Sequence, residues 1–306
     1  MLRYAGSRLI QAAIAIFGVL TIVFIVMHLS GDPTLLLVPQ GASTQQINEL
    51  RHQLGFDQPL WVQYVNYLKD LGHLDFGMSV VQHVPAAEIV ASRLPYTMML
   101  AAGALMVAIG IGIPVGIIMA TGRGGWLEKV LAAIVLTGQS VPTFLSGILL
   151  IAVFAVNLRW LPTSGVGDIR ALIMPSIALG AISMSTFARM TRIAVLDELS
   201  KDYVRAGRAR GLSLGAVVFR HVLRNASIPV ITIAALEIGN LLAGAVIVET
   251  VFAWPGIGQL AIQSIQSRDF LVVQVIVLLI SCVYVLTSLL ADFVYAAVDP
   301  RIRMVR

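Results

Sequence analysis

Long apolar segments alternate with polar ones along this chain of 306 residues. A helix needs about 20 consecutive apolar residues to cross the hydrocarbon core of a bilayer, and six segments reach that length. They cover residues 9–29, 97–121, 130–156, 171–190, 228–251 and 271–298. The pattern therefore predicts an all-α polytopic membrane protein with six transmembrane helices.

One interior segment interrupts the apolar pattern. Residues 189–225 carry eight Lys or Arg and only three acidic residues, which are Asp197, Glu198 and Asp202. Each Lys or Arg at the centre of a membrane helix costs about 2.5–3.5 kcal/mol on insertion scales, so this segment cannot lie in hydrocarbon. It is predicted to form an ordered cytoplasmic protrusion to which another protein binds.

The distribution of basic residues orients the predicted helices. If the N-terminus is cytoplasmic, the inner segments hold 15 of the 21 Lys and Arg residues, as the positive-inside rule requires. Both termini and the loop 189–225 are then cytoplasmic. Residues 1–94 are predicted to form the first transmembrane helix and an extracytoplasmic cap, residues 95–298 the transmembrane domain, and residues 299–306 a cytoplasmic tail.

The predicted cap contains two short helices. Ser43 and Gln46 have the spacing of a capping box, and Gly55 is suited to end that helix. Pro59 is suited to begin the second helix. One face of the second helix is predicted to carry the apolar residues Leu60, Trp61, Tyr64, Val65 and Leu68. This cap either packs on the membrane domain or contacts a partner that delivers substrate.

The cytoplasmic loop is predicted to contain a pair of helices. Gly211 is suited to the left-handed end of the first helix, and Ser213 to the N-cap of the second. Lys201, Arg205 and Arg208 form a basic stripe on the first helix, since they recur at helical spacing. The second helix has an apolar stripe of Leu214, Val218 and Val222, and Pro229 is predicted to restart a helix. A solvated basic loop is the simpler interpretation of the same charges.

Composition excludes several other classes. Only 12% of residues are charged, and the net charge of +5 comes from cytoplasmic segments, so no nucleic-acid partner is predicted. The single Cys282 lies in an apolar segment and the five His are scattered, so neither disulfides nor a metal site is predicted. The chain has no Gly-rich phosphate-binding loop and no nucleophile paired with a base. No catalytic residue and no bound cofactor are expected.

Candidate residues for a translocation path come from depth and polarity. Glu237 lies about 13 Å into the fifth predicted helix at 1.5 Å per residue, close to mid-membrane, and Asn240 shares its face. A carboxylate at this depth either faces a wet cavity or is a protonated group bound to a neighbouring helix. In the third predicted helix, polar side chains accompany a proline kink near mid-depth. This second set comprises Gln139, Ser140, Pro142 and Thr143.

Several motifs together resemble one family. DYVRAGRARGLS at 202–213, followed by RHVLRNASIPVIT, resembles the cytoplasmic coupling loop of ABC importer permeases of the dipeptide, oligopeptide, nickel and glutathione class. Other matches occur in the family's order between about residues 9 and 303. They are HLSGDP, LGFDQPLWVQY, LDFGMS, RLPYT, SVPTF, ARMTR, GNLLAGAVIVETVFAWPGIG and DPRIR. The chain is most similar to the first of the two permeases in such systems.

The resemblance implies a type I ABC importer fold in the bacterial inner membrane. The implied partners are a second homologous permease, two cytoplasmic ABC ATPase subunits that bind ATP and Mg, and an extracytoplasmic solute-binding protein. The motif match implies docking on the ATPase by Arg205, Ala206, Gly207, Arg208, Ala209, Gly211, Leu212 and Ser213. The broader importer motif begins Glu-Ala-Ala, whereas this chain has Arg-Ala-Gly at 205–207.

The alternatives differ in class and in substrate. An ion-coupled secondary transporter normally has several midplane ionisable groups or broken helices in corresponding halves of a repeat, and this sequence shows one deep carboxylate and no repeat. Within the resembled family, peptides are the expected substrate. Glutathione is an alternative. Nickel is supported less well because the chain has no deep His or Cys pair.

Overall fold

The computed structural model describes residues 2–29, 43–53, 55–122 and 124–298, and this part of the chain is helical. The helices are α1 (Leu2–Leu29), α2 (Thr44–Gln53), α3 (Leu60–Gly72), α4 (Ala86–Thr121), α5 (Trp126–Ser140), α6 (Thr143–Leu150), α7 (Ile173–Leu199), α8 (Asp202–Ala209), α9 (Leu214–Val217), α10 (Leu223–Val251), α11 (Ile257–Gln266) and α12 (Phe270–Val298). Wider π turns follow α6 at Ile151–Asn157 and join α9 to α10 at Val218–Val222. The predicted tail and residues 30–42 of the predicted cap lie outside the described residues.

Four helical segments in the described part are long and apolar enough to cross a membrane. They are Ala86–Thr121, Ile169–Leu199, Leu214–Val251 and Phe270–Leu289. A bent pair of helices makes a fifth span if its two halves are counted together, and α1 contains the shorter apolar stretch Ala13–Val26. A polytopic helical membrane protein is therefore confirmed, whereas six spans and cytoplasmic termini stay predictions.

The third predicted helix, 130–156, is not a single kinked span. It divides into Trp126–Ser140 and Thr143–Asn157, whose axes differ by 107°. Val141 is extended, with φ −81° and ψ 123°, because the ring of Pro142 disfavours helical geometry in the preceding residue. Pro142 then precedes the first residue of α6, where its missing N–H costs nothing.

The predicted helix restart at Pro229 is wrong. Helical backbone continues from Leu214 to Val251 without a break, and Pro229 lies inside it. A proline is tolerated within a membrane helix where neighbouring helices and local backbone adjustments satisfy the freed polar groups. The basic loop and the apolar segment that follows it are therefore joined by one continuous helical element.

The chain forms two compact units. The first contains Met1–Leu94 and Leu260–Val283, and the second contains Pro95–Gln259 and Tyr284–Arg306. In the first unit the predicted capping box is confirmed. The Ser43 N–H donates to Gln46 Oε1 at 2.9 Å, and the Gln46 N–H donates to Ser43 Oγ at 3.3 Å. Gly55 follows with φ +71°, the left-handed geometry predicted for it.

Helix α3 packs on α1 through a face that includes only part of the predicted apolar set. The Tyr64 hydroxyl lies 2.6 Å from Thr21 Oγ1, and its ring centroid lies 5.0 Å from that of Phe24. Gln63 Oε1 lies 2.9 Å from His28 Nε2. The predicted apolar residues Leu60, Trp61 and Val65 are instead exposed. Polar and aromatic contacts along α1 outweigh the apolar stripe in choosing the face that packs.

The core of the second unit lies where α4, α7 and α10 meet. Buried side chains from the three helices include Leu100, Met174 and Leu241. Two glycines of α4 allow close contact with α7. A Cβ added to Gly112 would lie 2.6 Å from the carbonyl oxygen of Met184, and one added to Gly116 would lie 2.5 Å from that of Ala188. Such close backbone approach is typical of small residues at membrane helix interfaces.

Candidate functional site

The loop between α7 and α10 has the helix–turn–helix structure that the sequence predicts. Gly211 has φ +85° and ends α8, since its N–H donates to the carbonyl of Arg208 at 2.9 Å. The Leu212 N–H donates to the carbonyl of Gly207 at 3.3 Å. Ser213 Oγ then accepts from the Ala216 N–H at 3.3 Å and caps α9. Both predicted capping residues are confirmed, and the turn between the helices is defined by hydrogen bonds on each side.

Apolar packing holds this element against the ends of the membrane helices. Val204 of α8, Val217 of α9 and Val222 of the π turn are buried in one cluster with Val195 of α7. A Cβ added to Gly207 would lie 3.4 Å from Val217 Cγ2, which is ordinary van der Waals contact. The helix pair is thus anchored along its inner face.

Glu198 provides a polar anchor that sequence reasoning missed. This residue at the end of α7 is buried, and its carboxylate accepts from Lys201 Nζ, from the Tyr203 hydroxyl at 2.7 Å and from Asn225 Nδ2 at 3.3 Å. Burial, and after it the hydrogen bond to Glu198, raises the pKa of Tyr203 to about 12, so the phenol remains a donor at neutral pH. One carboxylate therefore joins α7, α8 and α10. Its only sequence signal was that it is one of three acidic residues within a basic segment.

The outer face of the element is exposed. Exposed positions from the family motif are Arg205, Ala206, Arg208, Ala209, Gly211, Leu212 and Ser213, while Gly207 is half-buried. Arg205 forms an ion pair with Asp202, and Phe219 of the π turn is 73% exposed. The surface presents small and apolar side chains bordered by guanidinium groups, a chemistry suited to a protein partner.

Glu237 and Asn240 lie together on α10. Glu237 is buried, and its Oε2 accepts from Ser183 Oγ of α7 at 2.5 Å. Asn240 Nδ2 donates to Glu237 Oε1 at 3.4 Å. The carboxylate therefore links two neighbouring helices, as one of the two sequence interpretations requires.

The other predicted path residues lie at the break between α5 and α6. Gln139 Oε1 accepts from Arg189 Nη1 at 2.9 Å, and Ser140 Oγ donates to the carbonyl of Leu136 at 2.9 Å. Pro142 and Thr143 begin α6. The hydrogen bonds of these residues do not join them to Glu237 or Asn240 within the described part of the chain.

Two pockets in the second unit add residues that the sequence did not single out. Asn240 lines a pocket of about 240 Å³ with Tyr284, Thr287 and Ser288 of α12. In the sequence, only the adjacent hydroxyl residues Thr287 and Ser288 within an apolar helix indicated this pocket. A larger pocket of about 340 Å³ lies at the α5–α6 bend and is lined mainly by apolar residues with Thr137 and Ser146. The first pocket is the more polar of the two.

Glu249 organises the residues that follow α10. It is fully buried, and its Oε1 accepts from Thr97 Oγ1 of α4 at 2.6 Å. Its Oε2 accepts from the N–H groups of Gly258 and Gln259 at 2.7 and 3.0 Å. A carboxylate at the first turn of α11 satisfies free N–H groups and opposes the helix dipole. This contact explains the acidic residue in the ETVFAWPGIG stretch, to which the sequence assigned no role.

The described residues contain no group of three or more His, Cys, Asp or Glu side chains that could hold a metal ion. The site instead combines an exposed helix pair with a long apolar helix continuous with it. This combination defines the class: a helical membrane protein with an ordered polar helix pair.

Comparison with known protein families identifies the family of the chain. Residues 112–304 match the family described as binding-protein-dependent transport system inner membrane component, and residues 1–101 match the N-terminal membrane component of such systems. The chain belongs to this family and is a multi-pass membrane permease subunit, which confirms the predicted class over an ion-coupled carrier.

Similar proteins support the same assignment. The chain is 42% identical over 304 residues to the glutathione transport system permease protein GsiC of Escherichia coli (strain K12), covering 99% of each chain, and equally similar to that of Shigella dysenteriae serotype 1 (strain Sd197). Among solved structures, the inward-facing MetNI methionine ABC transporter aligns with TM-score 0.60 at 21% identity. That alignment covers 69% of this chain and 96% of that chain. An amino acid ABC transporter with histidines aligns with TM-score 0.52 at 16% identity, covering 69% and 94%. These two alignments show the fold.

Proposed function

We propose that this chain forms half of the translocation path of an ATP-driven importer for short peptides, with the tripeptide glutathione as the first substrate to test. The helix–turn–helix of α8 and α9 carries the proposal, because it presents a rigid exposed surface that is continuous with a membrane helix. The full-length similarity to a glutathione permease supports the choice of substrate.

The proposed partners follow from two features: the sequence has no ATP-binding motif, and α8 and α9 present an exposed surface. The chain has no phosphate-binding loop, so ATP and Mg are assigned to two cytoplasmic ATPase subunits that dock on α8 and α9. A second homologous permease completes the path, and an extracytoplasmic solute-binding protein delivers the substrate. The assembly is assigned to the bacterial inner membrane.

The coupling step follows from helix continuity. Closure of the ATPase subunits displaces α8 and α9 as one body, since Val204, Val217 and Glu198 hold the pair together. Helical backbone runs without interruption from Leu214 to Val251. The displacement therefore reaches the segment that carries Glu237 and Asn240 without crossing a flexible joint.

We assign both termini and the loop 189–225 to the cytoplasm and the segment 30–94 to the outside, for six spans in all. In a Cys282→Ser background, a cysteine replacing exposed Trp61 should react with a membrane-impermeant maleimide added to intact cells. A cysteine replacing exposed Arg208 should react only after the cells are opened. Labelling of position 61 solely in opened cells would reverse the assigned orientation.

The function is tested by uptake with the permease and its cognate partner subunits in proteoliposomes. Labelled glutathione, alanyl-alanine and nickel are compared with and without ATP and binding protein. We expect uptake of glutathione or the dipeptide that requires both additions. Uptake driven by a proton or sodium gradient without ATP would contradict the proposal, and ATP-dependent uptake of nickel alone would contradict the peptide assignment.

We propose that Asn240 and the pocket beside it line the path, with Glu237 as structural support behind them. Glu237→Gln keeps an oxygen for the Ser183 hydroxyl, so transport should stay within about two-fold of wild type. Glu237→Ala leaves the buried Ser183 hydroxyl without its acceptor and should lower the unfolding free energy by about 1–3 kcal/mol. Transport kinetics and thermal unfolding of the two variants measure this. A ten-fold loss of transport in a stable Glu237→Gln variant would instead place an anionic Glu237 on the substrate.

A further inference from the structure

A small pocket in the first unit is not part of the proposed ATPase-docking surface or of the proposed translocation path. It has a volume of about 270 Å³, and its walls come from α1, α3, the turn that follows α3 and the first residues of α12. This volume lies just below the usual range for small-molecule sites, so the pocket suits a compact group.

The charged groups of the pocket favour a cation. Asp70 and Asp75 both line it, and the described lining residues include no Lys or Arg. The Asp75 carboxylate accepts one hydrogen bond, from the Gly77 N–H at 3.0 Å, which leaves its other oxygen for a ligand. His28 also lines the pocket, with Nε2 2.9 Å from Gln63 Oε1 and Nδ1 2.8 Å from the carbonyl of Phe24.

Aromatic rings in the wall of the pocket also favour the binding of a cation. Phe24 and Tyr67 line the pocket, with ring centroids 5.5 Å apart and planes inclined by 38°. A cation near the face of an aromatic ring is attracted by the ring's quadrupole. Carboxylates and aromatic rings together recognise an ammonium group better than a metal ion, which would need more oxygen ligands.

Gln274 is the independent observation that points to a ligand. It lies in the first turns of α12, lines the pocket and is only 4% exposed. Its amide forms no hydrogen bond with the described residues, and its polar atoms are not fully buried, so they remain accessible to a ligand in the pocket that the residue lines. An amide oxygen in this position can accept from an N–H group placed between the two carboxylates and the rings.

We propose that this pocket binds the primary ammonium group of a small molecule, such as the α-amino group of a peptide. Asp70 and Asp75 provide charge-assisted acceptors, Gln274 provides a neutral one, and Phe24 with Tyr67 forms an aromatic wall. The proposal stands apart from the import role, because binding to the permease alone requires neither ATPase subunits nor transport.

The test is calorimetric titration of the full-length permease in phosphatidylcholine nanodiscs with alanyl-alanine and with its N-acetyl derivative. We expect saturable binding of alanyl-alanine and at least ten-fold weaker binding of the acetylated peptide, which lacks the ammonium group. Asp70→Asn should weaken alanyl-alanine binding at least ten-fold. Glu49→Gln removes an exposed carboxylate of α2 outside the pocket and should leave binding unchanged.

Gln274→Leu separates ligand binding from folding. It removes an amide that has no hydrogen-bond partner among the described residues, so the unfolding temperature should not fall, while alanyl-alanine binding weakens at least ten-fold. Nanodiscs with added phosphatidylethanolamine test the lipid headgroup as the source of the ammonium group, since an occupying headgroup would compete with the dipeptide. Absent binding in both lipid mixtures, equal affinity for the acetylated peptide, or unchanged affinity in Asp70→Asn would overturn the proposal.

Discussion

Replacement of Gly256 by alanine is expected to lower the unfolding free energy of this permease by about 1–3 kcal/mol, the usual cost of forcing an extra carbon into a packed interior. The added Cβ would lie 2.5 Å from Glu249 Oε2, inside van der Waals contact. The carboxylate cannot swing away freely, since Thr97, Gly258 and Gln259 all donate to it. Thermal unfolding of the purified protein in detergent measures the effect.

Gly110→Ala is the matched control for Gly256→Ala. Gly110 lies on an exposed face of α4, and a Cβ there would meet no atom within 4 Å. Alanine has the higher helix propensity, so this variant should be neutral or slightly more stable. Glu249→Ala should match the loss in Gly256→Ala, because three buried donors then lack their acceptor. Equal stability of Gly256→Ala and wild type would show that the Glu249 contacts contribute little.

Replacement of Gly211 by valine is expected to abolish most substrate transport while leaving membrane insertion intact. Gly211 has φ +85°, and a non-glycine residue there costs about 1–2 kcal/mol, with a β-branched side chain at the high end. The turn should rearrange and displace α8, which is part of the surface that we propose for ATPase docking. Transport and the stimulation of ATPase activity by loaded binding protein should both fall at least ten-fold.

Two neighbouring changes separate backbone strain from simple loss of a glycine. Gly215 lies in α9 with open space where a Cβ would stand, so Gly215→Ala should transport normally. Gly211→Asn should be intermediate, because asparagine adopts the left-handed region more readily than valine does. Normal stimulated ATPase activity in Gly211→Val would show that closure is transmitted by another part of the loop.

Local features of this chain could be predicted from the sequence because their causes lie within a few residues. The capping box at Ser43, the left-handed glycines 55 and 211 and the N-cap at Ser213 each depend on one turn of backbone. The apolar lengths of the membrane helices likewise reflect the thickness of the bilayer. The same local reasoning failed at Pro142 and Pro229. A proline in an apolar segment is compatible with a kink, a full break or an uninterrupted helix, and the neighbouring helices select among them.

The amino-acid sequence by itself determined the class of this protein, most of its helical segments and the helix pair on either side of Gly211, since hydrophobic length, charge and capping chemistry act locally. Only the tertiary structure decided which carboxylates are buried and form hydrogen bonds between helices. Glu198, Glu237 and Glu249 have partners up to 152 residues away in the chain, on helices that meet only after folding. Such contacts have no local periodicity, and a buried carboxylate is stabilised by whichever donors packing brings to it.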